Sequence, residues 1–175
     1  LLGRDAVPIT IELEKGTKGL IISGPNTGGK TVSLKTAGLL ALMHQFGLEI
    51  PAGEGSSLPI FDDIFADIGD EQSIDEHLST FSGHMKQIAR VIVEATASSL
   101  ILLDEVGSGT DVNEGSSIAM ALLDYFIEKE CIVIATTHQG ILKHYAFSKQ
   151  KIENASVDFN NDTLQPTYTI IQGIP

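Results

Sequence analysis

Eight consecutive residues, Gly24-Pro25-Asn26-Thr27-Gly28-Gly29-Lys30-Thr31, carry the spacing G-x-x-x-x-G-K-[ST]. That spacing suits the phosphates of a nucleotide. The glycines let the backbone curl so that its N–H groups converge on phosphate oxygens. A helix starting at the end of the loop adds a partial positive charge. The whole loop, Gly24 to Thr31, is therefore read as the nucleotide contact. Lys30 would neutralise the β- and γ-phosphates, and Thr31 would place its hydroxyl on Mg²⁺. A Gly-rich turn without function is the bland alternative. It is disfavoured because Gly19-Leu20-Ile21-Ile22-Ser23 precedes the loop as a strand and a helical pattern follows it.

A second constellation is Leu100-Ile101-Leu102-Leu103-Asp104-Glu105, an apolar run ending in two acids. Asp104 suits the outer shell of a hydrated Mg²⁺, and Glu105 suits the general base that polarises an attacking water. Such a pair alone is common at strand ends; its pairing with the phosphate loop makes the catalytic reading the better one. A third, Thr136-Thr137-His138, closes the next apolar run. His138 there can sense the γ-phosphate or orient water and base, against the plain role of a helix-start histidine. A fourth, Leu78-Ser79-Thr80-Phe81, precedes a helical pattern. Ser79 or Thr80 is a good N-cap, and the same hydroxyls and N–H groups can hold a phosphate. Finally, Gly107-Ser108-Gly109-Thr110-Asp111 forms a tight loop beside the acidic pair, with Asp111 and Glu114 spaced as a capping box. Ser108 and Thr110 are also candidates for a subunit contact.

These motifs must be positioned by regular elements, and the pattern alternates strands with helices. Ile9-Thr10-Ile11-Glu12-Leu13 alternates apolar and polar residues, as a half-buried strand does. Helices are expected over Gly29–Gln45, Phe81–Ala97 and Val112–Lys129. The first is apolar on most faces, which predicts that other elements cover it. In the second, Met85, Ile88, Ala89 and Ile92 recur at helical spacing and should face the core. Short strands are expected at Leu58–Phe61 and Ile64–Ile68, and buried ones at Leu100–Leu103 and Ile132–Ala135. Val157–Phe159 and Thr167–Ile170 flank a turn near Asn160-Asn161-Asp162 and read as a hairpin. Continuous apolar strands tied to amphipathic helices predict an α/β fold: a mainly parallel sheet flanked by helices, with an antiparallel β portion. Ligands of such sheets bind at the carboxyl ends of the strands, where the motifs sit.

Composition sets the frame. The chain has 175 residues, 42% hydrophobic and 19% charged, which fits one domain with one sizeable core. Its formal net charge of −12 argues against gripping a nucleic-acid backbone unaided, because phosphate contacts need clustered Lys and Arg. The acids Asp62, Asp63, Asp67, Asp70, Glu71, Asp75 and Glu76 read as a solvated surface segment. No apolar run spans a bilayer, so no membrane partner is expected. The single cysteine, Cys131, opens an apolar run and reads as an inert core thiol, in keeping with a cytoplasmic location. The histidines His44, His77, His84 and His144 show no metal-ligand spacing with cysteine.

The order GPNTGGKT, STF before a helix, LLDEVGSGTD and ATTH resembles the MutS-type ATPases of the ABC superfamily of P-loop NTPases, over nearly the whole chain. Transporter-type ATPases carry LSGGQ where this chain has Leu78-Ser79-Thr80-Phe81. Asp62-Asp63-Ile64-Phe65-Ala66-Asp67-Ile68-Gly69 is also similar to the MutS segment after the first helix. Mismatch-repair members differ at Thr27, at Lys30-Thr31, at Ser82-Gly83-His84-Met85 and at Asp67–Gln72. These variants resemble the bacterial paralogue MutS-two, whose full chain carries an Smr nuclease domain.

The resemblance implies a homodimeric, DNA-associated ATPase using ATP and Mg²⁺. It would act on branched recombination intermediates or on collided ribosomes. Ser79 and Thr80 of one copy would approach the γ-phosphate held by Lys30 of the other. Asn26 would touch the γ-phosphate, and Gln72 would help sense the metal or water. The segment Gly3–Pro8 falls where the family positions the base, without an aromatic residue. Residues 1–175 are expected to be a single ATPase domain excised from a longer protein, with any nuclease domain lying outside it. Rival readings are a mismatch-repair or other ABC-type DNA-maintenance ATPase, a non-hydrolysing nucleotide sensor that docks partners, and a small-molecule kinase.

Overall fold

The computed structural model describes residues 6–69, 80–160 and 165–173. Six strands form one sheet: β1 (Gly19–Ser23), β2 (Ile64–Asp67), β3 (Leu100–Leu103), β4 (Ile132–Thr137), β5 (Ile152–Asn160) and β6 (Gln165–Gln172). Their spatial order is β2-β3-β4-β1-β5-β6. All neighbours are parallel except the β5–β6 pair. Four helices intervene: α1 (Lys30–Gln45), α2 (Thr80–Glu94), α3 (Val112–Glu128) and α4 (Gly140–Phe147). The α/β class, the parallel sheet and the antiparallel portion are as the sequence pattern predicts.

Strand alternation divides the core in two. Ile21, Ile101, Leu103, Val133 and Ala135 point to one face and meet Ile88 and Val91 of α2, Leu123 and Phe126 of α3, and Leu142 and Ala146 of α4. Leu20, Ile22, Leu100, Leu102 and Ile134 point to the other and meet Leu34 and Ala41 of α1. Successive residues of a strand project to opposite faces, so runs that are apolar throughout must be covered on both. Helix α1 comes very close to the sheet at Gly38, where an added Cβ would lie 2.6 Å from Leu102 Cδ1.

Register places the working ends together. Ser23 is paired with Thr137, Leu103 with Ala135, and Asp67 with Leu103. The carboxyl ends of β1, β2, β3 and β4 therefore lie at one edge, where β3 hands over to Asp104 and β4 to His138.

Several elements depart from expectation. Residues 9–13 are not a strand. Ile9, Ile11 and Leu13 still pack on the α1-side cluster, so the alternation reports one-sided burial without a hydrogen-bonded ladder. Residues 58–61 are not a strand either. Helix α1 is not covered all round: Val32, Leu39 and Phe46 are 61%, 58% and 79% exposed. On α2 the buried positions are Ile88, Val91 and Ala95 just beyond it, flanked by partly buried Met85 and Ile92, whereas Ala89 faces solvent. The helix stops at Glu94, where the Thr96 N–H turns to Ser99 Oγ. Helix α4 and the first half of β5 carry too mixed a pattern to declare themselves. Of the acidic stretch, Asp62 is structural, accepting hydrogen bonds from Thr96 and Ser99. The residues of the expected hairpin turn beyond Asn160 lie outside the described residues. Among the described residues no helix is long and apolar enough to cross a membrane.

Candidate functional site

The phosphate loop begins where β1 ends. Gly24 (φ 137°) turns the chain out of the sheet, Asn26–Gly28 make one 3-10 turn, and Gly29 (φ 92°) redirects it into α1 at Lys30. Both glycines occupy the left-handed region that side chains avoid. A Cβ on Gly24 would also lie 2.5 Å from Val157 Cγ2, and one on Gly29 2.9 Å from Tyr168 Cδ1. The β5–β6 hairpin thus closes on the loop from the side. The first N–H groups of α1 have no intrahelical acceptor and suit an anion.

Lys30 is 1% exposed. Its Nζ donates to the Gly24 carbonyl at 2.8 Å and to Glu105 Oε1 at 3.0 Å. Thr31 follows it in the first turn of α1.

The acidic corner is built on three strands. The Asp104 N–H donates to the Asp67 carbonyl at 2.9 Å. Buried Thr136 then clamps both acids: its hydroxyl donates to Asp104 Oδ1 at 2.5 Å and accepts from the Glu105 N–H at 2.8 Å. The Val106 N–H bonds to the Thr136 carbonyl. Held this way, Glu105 sits at φ 47°, a conformation that costs a non-glycine residue about 1–3 kcal/mol and persists only where its surroundings fix it. Its carboxyl bridges Lys30 through Oε1 and His138 Nδ1 through Oε2 at 2.5 Å. Burial alone would push the Glu105 carboxyl up. Hydrogen bonds from His138 and Lys30 outweigh it and hold the carboxyl below its ordinary range.

Behind this corner a polar cluster fixes the loops. Gln139 donates from its N–H to Thr137 Oγ1 and from Nε2 to the Gly107 carbonyl, and it accepts from Ser116 of α3. Asp111 caps α3, accepting from the Asn113 and Glu114 N–H groups. The expected capping box is half made, since Glu114 accepts from the Thr110 hydroxyl instead of reaching back to the cap.

The structure brings the loop, Lys30, Asp104, Glu105 and His138 to one edge of the sheet. Gln72 and Ser79 lie outside the described residues. Thr80 opens α2 and Asn26 opens the 3-10 turn, but their side chains are outside the description. Sequence reasoning did not single out Thr136 as the clamp, although Thr-Thr at the end of an apolar run was a usable signal. It also passed over Tyr168 as a site residue. This half-exposed ring stands against Gly29 with a backbone φ of 58°.

A family model described as MutS domain V matches residues 20–174. The chain belongs to the MutS domain V family. The chain also aligns with relatives named Endonuclease MutS2. The chain is 53% identical over 168 residues to that of Fusobacterium nucleatum, covering 96% of this chain and 22% of the relative. It is 54% identical over 175 residues to that of Pelotomaculum thermopropionicum, covering 100% and 22%. A third, from Caldanaerobacter subterraneus, is 54% identical over 169 residues, covering 97% and 21%. The chain thus spans about a fifth of the length of these relatives.

Proposed function

We propose that this domain V binds Mg·ATP and hydrolyses it to ADP and phosphate, switching the conformation of a longer, dimeric, DNA-associated protein. The observation that supports this most is the meeting of Lys30 from the phosphate loop with Glu105 and His138 at the carboxyl ends of β1, β3 and β4. In this reading the loop N–H groups and Lys30 hold the phosphates and stabilise charge on the transferred phosphoryl group. Glu105 accepts a proton from the attacking water, and its lowered carboxyl is in the ionised form that a base requires. His138, itself half exposed, orients that carboxylate through Nδ1.

Asp104 and the Thr31 hydroxyl offer the hard oxygen donors that Mg²⁺ prefers, and Thr136 fixes the Asp104 carboxylate for that purpose. Bound there, the ion would neutralise charge between the β- and γ-phosphates. Tyr168, beside Gly29, is the aromatic surface on which a base can stack. Ser79 and Thr80 complete the site from a second copy, and Asn26 and Gln72 add contacts to the γ-phosphate and to the metal or water.

The relatives' printed name, Endonuclease MutS2, supports placing this domain in a nuclease-bearing protein whose cutting activity resides elsewhere in the chain. Suppression of recombination or ribosome rescue, in the cytoplasm, is the biological role we assign to it. The binding half of this reading is tested by titrating a slowly hydrolysed ATP analogue with Mg²⁺. Lys30→Ala should weaken affinity by about 10–100-fold, the worth of a charge-assisted contact. Equal binding by both proteins would refute the assignment of the loop.

A further inference from the structure

We infer that the Asp67–His84 pair is a positioning contact for the acidic corner: it fixes the end of β2, and through it the orientation of Asp104. The inference rests on the Mg·ATP reading of the site and deepens it.

Asp67 is the last residue of β2 and serves two partners at once. Its backbone carbonyl accepts the Asp104 N–H at 2.9 Å. Its carboxylate accepts from His84 Nδ1, at 2.9 Å to one oxygen and 2.8 Å to the other. A carboxylate only accepts, so Nδ1 carries the proton whichever charge the ring has. His84 therefore stands one residue away from Asp104, the proposed metal-holding position, through Asp67.

Three features make this contact more than surface decoration. Among the described residues β2 is an edge strand, four residues long, paired with β3. Second, a cavity lies beside the pair, walled by Asp67, His84, Leu103, Asp104, Glu105 and Gly107. Third, both partners are sheltered, with Asp67 at 14% and His84 at 32% exposure. A charge-assisted bond at that depth is stronger than one in open solvent.

His84 lies one turn into α2, which opens at Thr80. The pair ties the first turns of α2 to the strand end that carries Asp104. Loosening it should let the acidic corner drift while leaving the phosphate loop, on β1 and α1, in place. Misplacement by about 1 Å costs a catalytic step up to about 100-fold.

The test uses the full-length protein, with His84→Phe to remove the donor while keeping a ring, and His84→Gln to restore an N–H donor. Two readouts are needed: kcat against KM for ATP, and Mn²⁺ affinity of the nucleotide-bound protein by electron paramagnetic resonance, which needs no turnover. For His84→Phe we expect kcat to fall about 10-fold or more, KM to stay within two-fold, and Mn²⁺ to bind several-fold more weakly. His84→Gln should recover most of both losses. Wild-type values in His84→Phe overturn the inference. So does an equal loss of kcat, ATP affinity and thermal stability with no recovery in His84→Gln, which marks a merely structural contact. A wild-type protein that binds no Mg·ATP overturns the reading of the site together with this inference; normal wild-type activity with an indifferent His84→Phe overturns this inference alone.

Discussion

Replacing Glu105 by glutamine should do two opposite things: strengthen ATP binding and nearly stop its hydrolysis. In the resting structure Glu105 Oε1 is 3.0 Å from Lys30 Nζ, at 18% and 1% side-chain exposure. ATP must draw Lys30 away from that carboxylate to place the ammonium on its phosphates. At this distance and an effective dielectric of about 20, the bare attraction is about 5.5 kcal/mol. After desolvation and the loss of water contacts, a charged hydrogen bond is worth about 1.5–3 kcal/mol net. A glutamine amide keeps part of the contact and removes the charge. Roughly 1.4 kcal/mol of competition should disappear, which corresponds to about ten-fold tighter ATP binding. Turnover should fall by about 100-fold or more, the usual worth of a general base. Isothermal titration with Mg·ATP and single-turnover phosphate release measure the two effects on the same preparation. Unchanged or weaker binding would refute the idea that the Lys30–Glu105 contact competes with ATP. Turnover within a few-fold of wild type would refute the role of Glu105 as base.

Other expectations follow from neighbouring geometry. Gly115→Ala should lower stability by about 2–4 kcal/mol, because the new Cβ would lie 1.9 Å from the Gly107 carbonyl oxygen and push the loop after Glu105 off α3; urea denaturation reads it. Asp111→Ala removes the cap of α3 and should cost about 1 kcal/mol, seen as a lower urea midpoint with unchanged slope. Tyr168→Ala should weaken ATP binding by about 1–3 kcal/mol while leaving inorganic triphosphate binding unchanged, in competition titrations. The Glu105 carboxyl is held below its ordinary value of 4.5, so its contribution to stability is complete above that pH and is lost as pH falls through the lowered value. The difference in Tm between wild type and Glu105→Gln should therefore be flat from neutral pH down to about 5 and shrink below it.

The parts of the site that the sequence announces are those where one local pattern carries the chemistry. A strand, a glycine-spaced turn and a lysine specify the loop at Gly24–Thr31 without help from elsewhere. Asp104-Glu105 and His138 are legible because each ends a continuous apolar run, and the parallel register then brings those ends together. What sequence could not supply is contact across distance. Thr136 clamps Asp104 and Glu105 from a strand some thirty positions away, and nothing in Thr-Thr says which acid it will meet. Tyr168 reaches Gly29 only because β5 and β6 fold back along β1. Residues 9–13 show the opposite error: alternation is a signal of burial on one side, and burial was achieved there without pairing. Helix α4 was missed because eight residues holding Lys143, His144 and Tyr145 carry too little apolar periodicity.

The central claim is that Lys30, Asp104 and Glu105 form a magnesium-dependent hydrolytic site that a second copy completes. Its most direct test is single-turnover phosphate release from ATP by the full-length protein, followed over a range of protein concentrations with and without Mg²⁺. The account predicts release that requires Mg²⁺ and whose rate rises more steeply than linearly with protein concentration. Release that persists in a chelator, or none at any concentration from a protein that binds ATP, would contradict it.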